Sequence, residues 1–124
     1  MLPFGVQIRS GEPVSRQVIQ AVHRALVTGQ LKVGDAFPSV RVLSKELKIN
    51  PNTAFKIVAH LKQEGLLEVQ PGKGTFVSGT YTPQEEEKEN LLEEKIEALV
   101  IEARKLNLKQ SDVQEAIDKI WKRL

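Results

Sequence analysis

Four polar side chains in the first half of the chain have the chemistry to hydrogen bond with a nucleic acid. Ser39 and Arg41 form one group, and Asn52 and Thr53 follow eleven residues after Arg41. A helix-start serine and an arginine suit a phosphate or a guanine. Asparagine can pair bidentately with adenine, and Thr53 suits either a phosphate or a thymine methyl group. These groups act together only if the fold brings them to one surface.

The surrounding pattern predicts two short helices joined by a tight turn. The first runs from a Ser39 cap to about Leu47, and the second is capped by Asn50 and ends at Gly65. Asn52 and Thr53 then project from the opening turn of the second helix. Such a helix-turn-helix presents polar side chains to base edges in a DNA major groove.

Apolar residues at three- and four-residue spacing predict the inner faces of three helices. They are Val14, Val18, Ala21, Val22, Ala25 and Leu26 in a helix that begins near Pro13 and ends before Gly29, then Val42, Leu43 and Leu47, and then Ala54, Ile57, Val58 and Leu61. Residues 4–9 are mixed in character, and we expect a short strand there. Together the stripes predict one small helical core.

A hairpin follows the helices. Leu67-Glu68-Val69 and Thr75-Phe76-Val77 read as short strands, and the turn between them contains Pro71, Gly72 and Gly74. We expect the tip, Gly72-Lys73-Gly74-Thr75, to enter or flank a minor groove. The predicted fold is therefore mainly α with a small β-wing: a winged helix-turn-helix followed by a C-terminal helical hairpin.

The predicted DNA-contacting residues lie on these elements. They are Ser39, Arg41, Pro51, Asn52, Thr53, Lys56, Gly72, Lys73, Gly74 and Thr75. Lys56 lies one turn after Asn52 and suits a phosphate or a base, whereas Pro51 mainly shapes the turn. A local capping role for Asn52 and a surface ion pair for Arg41 are the alternatives.

Residues 79–124 predict two amphipathic helices. A capping box at Thr82 to Glu85 opens a helix that runs to about Leu106, and Asn107-Leu108 separates it from a second helix. Two such helices cannot bury both apolar stripes against each other with enough area to offset the entropy of ordering them. We therefore expect a homodimer interface made of Leu92, Ile96, Leu99, Val100, Ile117, Ile120 and Trp121. The alternative is that the pair folds back on the first domain.

The charge distribution separates the same two regions. Residues 1–78 hold 10 Lys/Arg against 5 Asp/Glu, a net of +5, and residues 79–124 hold 8 against 11, a net of −3. We expect 1–78 to be the DNA-binding domain and 79–124 the dimerisation region. The chain has no cysteine, no run of about 18 apolar residues and no secretory signal, so we expect a cytoplasmic protein without a membrane partner.

Other chemistry finds little support in the sequence. His23 and His60 belong to different predicted helices, with no cysteine or nucleophile–base arrangement beside them. Gly72-Lys73-Gly74 resembles part of a phosphate-binding loop, but it lacks the Lys-Ser/Thr pair that ends that motif and the helix that follows it. We expect no enzyme activity, no metal and no cofactor. The alternative function is a winged-helix protein-docking module that does not bind specific DNA.

The motifs resemble those of one family. The run from Gly29 to Arg41, the Glu64-Gly65-Leu66 triplet and the run from Gly72 to Val77 are similar to the signature of GntR-family bacterial transcriptional regulators. The Asn50-Pro51-Asn52-Thr53 turn and the short C-terminal region resemble the YtrA subfamily. Three positions depart from the common pattern: Ser15 replaces an aromatic residue, Val58 replaces a tyrosine, and His60 replaces an acid.

The resemblance implies a dimer that binds a partly palindromic double-stranded DNA operator. It implies repression, often of a neighbouring transporter operon, with a DNA affinity that a small-molecule effector can change, and it makes Arg41 a DNA contact. The C-terminal region is shorter than the ligand-binding domains of larger members. We therefore expect any effector to bind between helices or at the dimer seam. The operator, the target genes and the effector's identity do not follow from the sequence.

Overall fold

The computed structural model describes residues 2–79 and 85–124. The elements are α1 (Val14–Val27), β1 (Ala36–Phe37), α2 (Val40–Leu47), α3 (Pro51–Gln63), β2 (Leu67–Gln70), β3 (Gly74–Val77), α4 (Glu85–Lys105) and α5 (Gln110–Arg123). The chain divides into two compact units, Met1–Tyr81 and Thr82–Leu124. The mainly helical architecture with a small antiparallel sheet confirms the predicted fold class.

The predicted start and end of α1 are both confirmed. Pro13 occupies the N-cap position. At the other end the Thr28 hydroxyl donates to the Arg24 carbonyl over 2.8 Å, and Gly29 follows with a φ of +81°. Because that φ is in the left-handed region, the chain turns back and the Leu31 N–H donates to the Ala25 carbonyl over 3.0 Å.

The turn between α2 and α3 is stabilised by polar side chains at its ends. The Ser39 hydroxyl accepts a hydrogen bond from the Val42 N–H over 3.2 Å at the start of α2. Lys48 leaves α2 with a φ of +55°, and the Ser44 hydroxyl donates to the Ile49 carbonyl over 2.8 Å. The first bond satisfies an N–H that the start of α2 leaves without an intrahelical partner, and the second holds the turn residue Ile49 against α2.

The core lies where the three N-terminal helices meet the sheet. Its buried apolar residues are Phe4, Val18, Ala21, Val22, Ala25, Leu31, Phe37, Leu43, Ala54, Ile57, Val58, Leu61, Leu67 and Val77. All four predicted inner residues of α3 are in this set. Val58, one of the three departures from the family pattern noted above, is thus a core position here.

The sheet has the strand order β1-β3-β2, and both pairings are antiparallel. Val69 lies opposite Thr75, and Phe37 lies opposite Thr75 on the other side of β3. The hairpin of β2 and β3 confirms the predicted wing. Strand β1 was not expected, and it joins the wing to the segment immediately before α2.

Two sequence-based expectations are wrong. Residues 4–9 form no strand, because Phe4 is buried and stacks on Phe37 with ring centroids 5.8 Å apart, while the Gln17 side chain bonds to both backbone groups of Arg9. Val42 is 43% exposed rather than inward. It lies more than 90° around α2 from both Leu43 and Leu47, and a helix of eight residues buries only one narrow stripe.

The second unit consists of α4 and α5. Helix α4 has 21 residues, which corresponds to about 31 Å. Asn107 ends it with a φ of +58°, as the sequence break at Asn107-Leu108 predicts, and the Lys109 N–H donates to the Asp112 carboxylate over 2.8 Å at the start of α5. The cap predicted at Thr82 and Pro83 lies outside the described residues. The apolar stripes of both helices are largely exposed.

The core assignment predicts a large difference between two valines on the same helix. Val22 is 1% exposed and Val27 is 72% exposed. Val22→Ala removes buried methyl groups and leaves a cavity, so it should lower the free energy of unfolding by about 2 kcal/mol. Val27→Ala should change it by less than about 0.5 kcal/mol. Urea denaturation followed by circular dichroism measures both, and equal effects would contradict the packing described for α1.

Candidate nucleic-acid interface

The start of α2 presents a hydroxyl and a guanidinium at the surface. Ser39 and Arg41 are both exposed. The Ser39 oxygen accepts the Val42 N–H, so its own hydrogen remains available for donation to a phosphate. The first N–H groups of a helix have no intrahelical partner and carry the positive end of the helix dipole. This helix end is therefore suited to hold a phosphate, with Arg41 beside it.

The start of α3 presents an amide. Asn50, rather than Asn52, caps the helix, because the Asn50 Oδ1 atom accepts the Asn52 N–H over 2.8 Å. The Asn52 side chain is exposed, and Lys56, one turn later, is exposed beside it, while Thr53 is half-buried. The structure therefore gives the local capping role to Asn50, as the sequence predicts. Pro51 occupies the first helical position and is also exposed.

The orientation of α3 follows from its buried stripe. Ala54, Ile57 and Leu61 are each 0% exposed and hold one face of the helix in the core. At 100° per residue, Asn52 and Lys56 lie on the opposite face and within 40° of each other. The two side chains therefore point away from the core as a pair.

The wing places a basic tip at the surface. Gly72, Lys73 and Gly74 are exposed, Thr75 is half-buried, and the Lys73 N–H closes the turn onto the Gln70 carbonyl over 2.9 Å. Gly72 has a φ of +76° and Gly74 a φ of +127°, and a Cβ at either position would meet nothing within 4 Å. The glycines are thus needed for backbone conformation rather than for space.

Strand β1 connects the wing to the start of α2. The Val77 N–H donates to the Asp35 carbonyl over 2.8 Å, and the Gly34 N–H donates to the Val77 carbonyl over 2.9 Å. Only two residues separate Phe37 of β1 from the first residue of α2. The wing is therefore hydrogen-bonded to the segment that leads directly into the Arg41 end of α2. A two-residue strand has no measurable periodicity, which is why the sequence does not reveal it.

Two histidines on different helices contact the same carboxylate. The Nε2 atoms of His23 on α1 and His60 on α3 lie 3.1 Å and 3.0 Å from the same Oε1 atom of Glu64. All three side chains are partly exposed, so each contact contributes about 0–1 kcal/mol. Spacing in the sequence gives no sign of this tertiary contact between α1 and α3.

Among residues 2–79 and 85–124, no group of three or more His, Asp or Glu side chains could hold a metal ion. In the same part of the chain, no helix is long and apolar enough to cross a membrane. One side chain that the sequence analysis did not select does stand out on α3: Phe55 is 63% exposed. The sequence could have indicated this exposure, because Phe55 lies outside the predicted inner stripe of α3.

Comparison with known proteins agrees with this geometry. Residues 14–77 match the family model described as "Bacterial regulatory proteins, gntR family". This chain belongs to the GntR family. The match spans α1 to β3, which is the unit that carries the exposed residues described above, and it identifies the chain as a transcriptional regulator of the helix-turn-helix type.

One relative extends the similarity through the C-terminal helices. The HTH-type transcriptional repressor YtrA of Bacillus subtilis strain 168 is 34% identical over 113 residues, which cover 90% of this chain and 87% of that protein. This similarity over nearly the whole length agrees with the YtrA-type assignment made from the Asn50-Pro51-Asn52-Thr53 turn.

Solved structures share the fold. A transcriptional regulator from Oenococcus oeni is 27% identical with a TM-score of 0.61, and the match covers 94% of this chain and 98% of that one. A protein titled as a transcriptional antiterminator from Listeria monocytogenes EGD-e has a TM-score of 0.81 at 22% identity, covering 94% of this chain and 88% of that one. At that identity the likeness concerns the fold alone.

The wing turn gives a second prediction. Gly72→Ala places a Cβ on a residue with left-handed φ and should lower the free energy of unfolding by about 1–2 kcal/mol. Gly5→Ala, at a glycine without positive φ and equally open space, should have almost no effect. Chemical denaturation of the two variants tests this, and an unaltered stability of Gly72→Ala would show that the wing turn tolerates a side chain.

Proposed function

We propose that this regulator is a homodimeric repressor that binds a partly palindromic operator through α2, α3 and the wing. The observation that carries the proposal is that Arg41 and Asn52 are exposed in the opening turns of the two helices of the helix-turn-helix, and that Lys56 is exposed one turn after Asn52. Their side chains are the ones that meet bases and phosphates. The relative YtrA is named a transcriptional repressor, which supports repression here.

Each group has a distinct proposed partner. Asn52 pairs with an adenine edge, and Thr53 meets a phosphate or a thymine methyl group. Ser39 and the first N–H groups of α2 hold a phosphate, and Arg41 meets a phosphate or a guanine. Lys56 adds a phosphate or base contact from the next turn of α3.

The wing contributes from the side. Lys73 is exposed at a tip whose turn uses two glycines with positive φ, and Thr75 lies in the return strand. Backbone at such a tip can approach the sugar–phosphate edges of a minor groove closely. In this arrangement Gly72, Lys73, Gly74 and Thr75 fix the position of the domain along the duplex, and α3 reads the sequence.

Arg41→Ala tests the proposed reading face. If Arg41 contacts a base, the variant should lose about 1–3 kcal/mol of operator binding, measured by fluorescence anisotropy at fixed salt on a duplex selected by the wild-type protein. Arg24→Ala removes another exposed arginine, from the last turn of α1, and should bind almost normally.

Two outcomes would count against this role. If Arg41→Ala binds the selected duplex as tightly as the wild type, the residue is not a DNA contact. If both variants lose the same affinity, the effect is one of net charge, because nonspecific binding depends on the number of neutralised phosphates.

The second unit supports the proposed homodimer. Leu92, Ile96, Leu99, Val100, Ile117, Ile120 and Trp121 are between 39% and 81% exposed. Between α4 and α5 lies a groove of about 570 Å³ whose walls include Ile96, Val100 and Ile117. Exposed apolar surface of this extent favours association, and the same hairpin from a second copy is a self-complementary partner. We also propose that any effector binds between these helices or at the seam of the dimer.

A two-fold dimer predicts the form of the operator. Each copy places one α3 in a major groove, so the half-sites should lie about 10 bp apart, centre to centre, or a multiple of that distance. Selection of bound fragments from random duplex DNA would show this spacing together with the sequence read by each copy.

Ile96→Asp tests the dimer interface. A carboxylate placed on the exposed apolar stripe must be desolvated in the interface, so this variant should be a monomer at micromolar concentration while the wild type is a dimer. Lys95→Asp changes the adjacent, exposed residue of α4 and should remain a dimer. Sedimentation equilibrium distinguishes the two states. A monomeric wild type would refute the interface and favour packing of the hairpin on the N-terminal domain.

A further inference from the structure

Phe55 is a large apolar side chain with no place in the core. It is 63% exposed in the middle of α3, although the buried stripe of that helix is already formed by Ala54, Ile57, Val58 and Leu61. An exposed phenyl ring keeps apolar surface in contact with water, which is unfavourable unless a partner covers it. The position of Phe55 on α3 indicates what that partner is.

Phe55 lies beside the side chains that face DNA in the proposed complex. It follows Asn52 by three residues and directly precedes Lys56, and all three side chains are exposed. Side chains three residues apart are neighbours on a helix surface. Phe55 is displaced from Asn52 by about 4.5 Å along the axis of α3, which is close to the roughly 3.4 Å between successive bases of one strand. If Asn52 contacts one base pair, the base that Phe55 contacts must therefore be a near neighbour of it.

The chemistry of the ring selects the base. A phenyl group has no hydrogen-bond donor or acceptor, so it cannot read the polar pattern of guanine, cytosine or adenine. Thymine is the base that presents an apolar group in the major groove, the C5-methyl, and phenylalanine is one of the residues that contact it. We propose that Phe55 determines operator specificity by packing on the methyl group of a thymine close to the base pair that Asn52 contacts. This inference rests on operator binding by α3 as proposed above.

Replacement of thymine by deoxyuridine tests the contact directly, because the two bases differ only by this methyl group. The wild-type chain first selects a duplex from random DNA, and each thymine of one half-site is then replaced singly by deoxyuridine. Wild-type affinity should fall about three- to tenfold at one position. Phe55→Ala should bind the thymine and deoxyuridine duplexes equally at that position, and Phe55→Leu should retain part of the preference.

Val27→Ala is the matched control. It shortens an apolar side chain of similar exposure on α1, and its deoxyuridine profile should be that of the wild type. Circular dichroism confirms that each variant is folded, as expected for substitutions at exposed positions.

The outcomes separate this inference from the proposed function. A wild type that discriminates at no thymine, or a Phe55→Ala variant with the wild-type profile, would overturn the methyl contact and leave operator binding intact. Phe55 would then be a surface for a protein partner. A wild type that selects no common sequence from random DNA would refute sequence-specific binding itself, and the proposed role of Phe55 with it.

Discussion

The burial of one face of α3 is the constraint on which the rest of the N-terminal unit depends. Ala54, Ile57 and Leu61 are fully buried against the other helices and the sheet. A helix is a rigid cylinder, so burial of this stripe determines the direction of every other side chain on it. Asn52 and Lys56 are directed outward by packing alone. The presentation of polar groups at the surface is therefore a consequence of the apolar core.

The sheet extends the same constraint to the wing. Phe37 pairs with Thr75 in the β1–β3 ladder, and its ring is buried against Phe4. Phe37 is separated from Ser39, the N-cap of α2, by Pro38 alone. Burial of the Phe37 ring therefore anchors both the start of α2 and, through the pairing with Thr75, the return strand of the wing. A fixed relation between these elements matters for DNA recognition, because ordering them only on binding would reduce affinity.

The sequence predicts the periodic and locally capped parts of this structure well. The inner face of α3, the Ser39 and Asn50 caps and the hairpin all depend on contacts within a few residues, and local spacing reveals them. Strand β1, the exposure of Val42 and the meeting of His23 with His60 at Glu64 depend instead on the tertiary arrangement. Of the candidate site, the residue types and their helix positions could be read from the sequence. Phe55 lies outside the inner stripe that the sequence predicts for α3, but its 63% exposure depends on the packing of the whole domain.

The exposed stripes of α4 and α5 have a further consequence for the proposed dimer. Dimerisation through the second unit would join two N-terminal DNA-binding units. Once one of them is bound, the other would meet its half-site intramolecularly, at an effective concentration set by the connection between the two units. Each N-terminal unit could then bind DNA weakly, with few base contacts, while the dimer would bind tightly to two correctly spaced half-sites. Residues 79–124 carry a net charge of −3 and residues 1–78 a net charge of +5. DNA phosphates are therefore attracted to the N-terminal unit and not to the C-terminal helices. In the proposed dimer, an effector that weakened the packing of the hairpins would therefore lower operator affinity without contacting either α3.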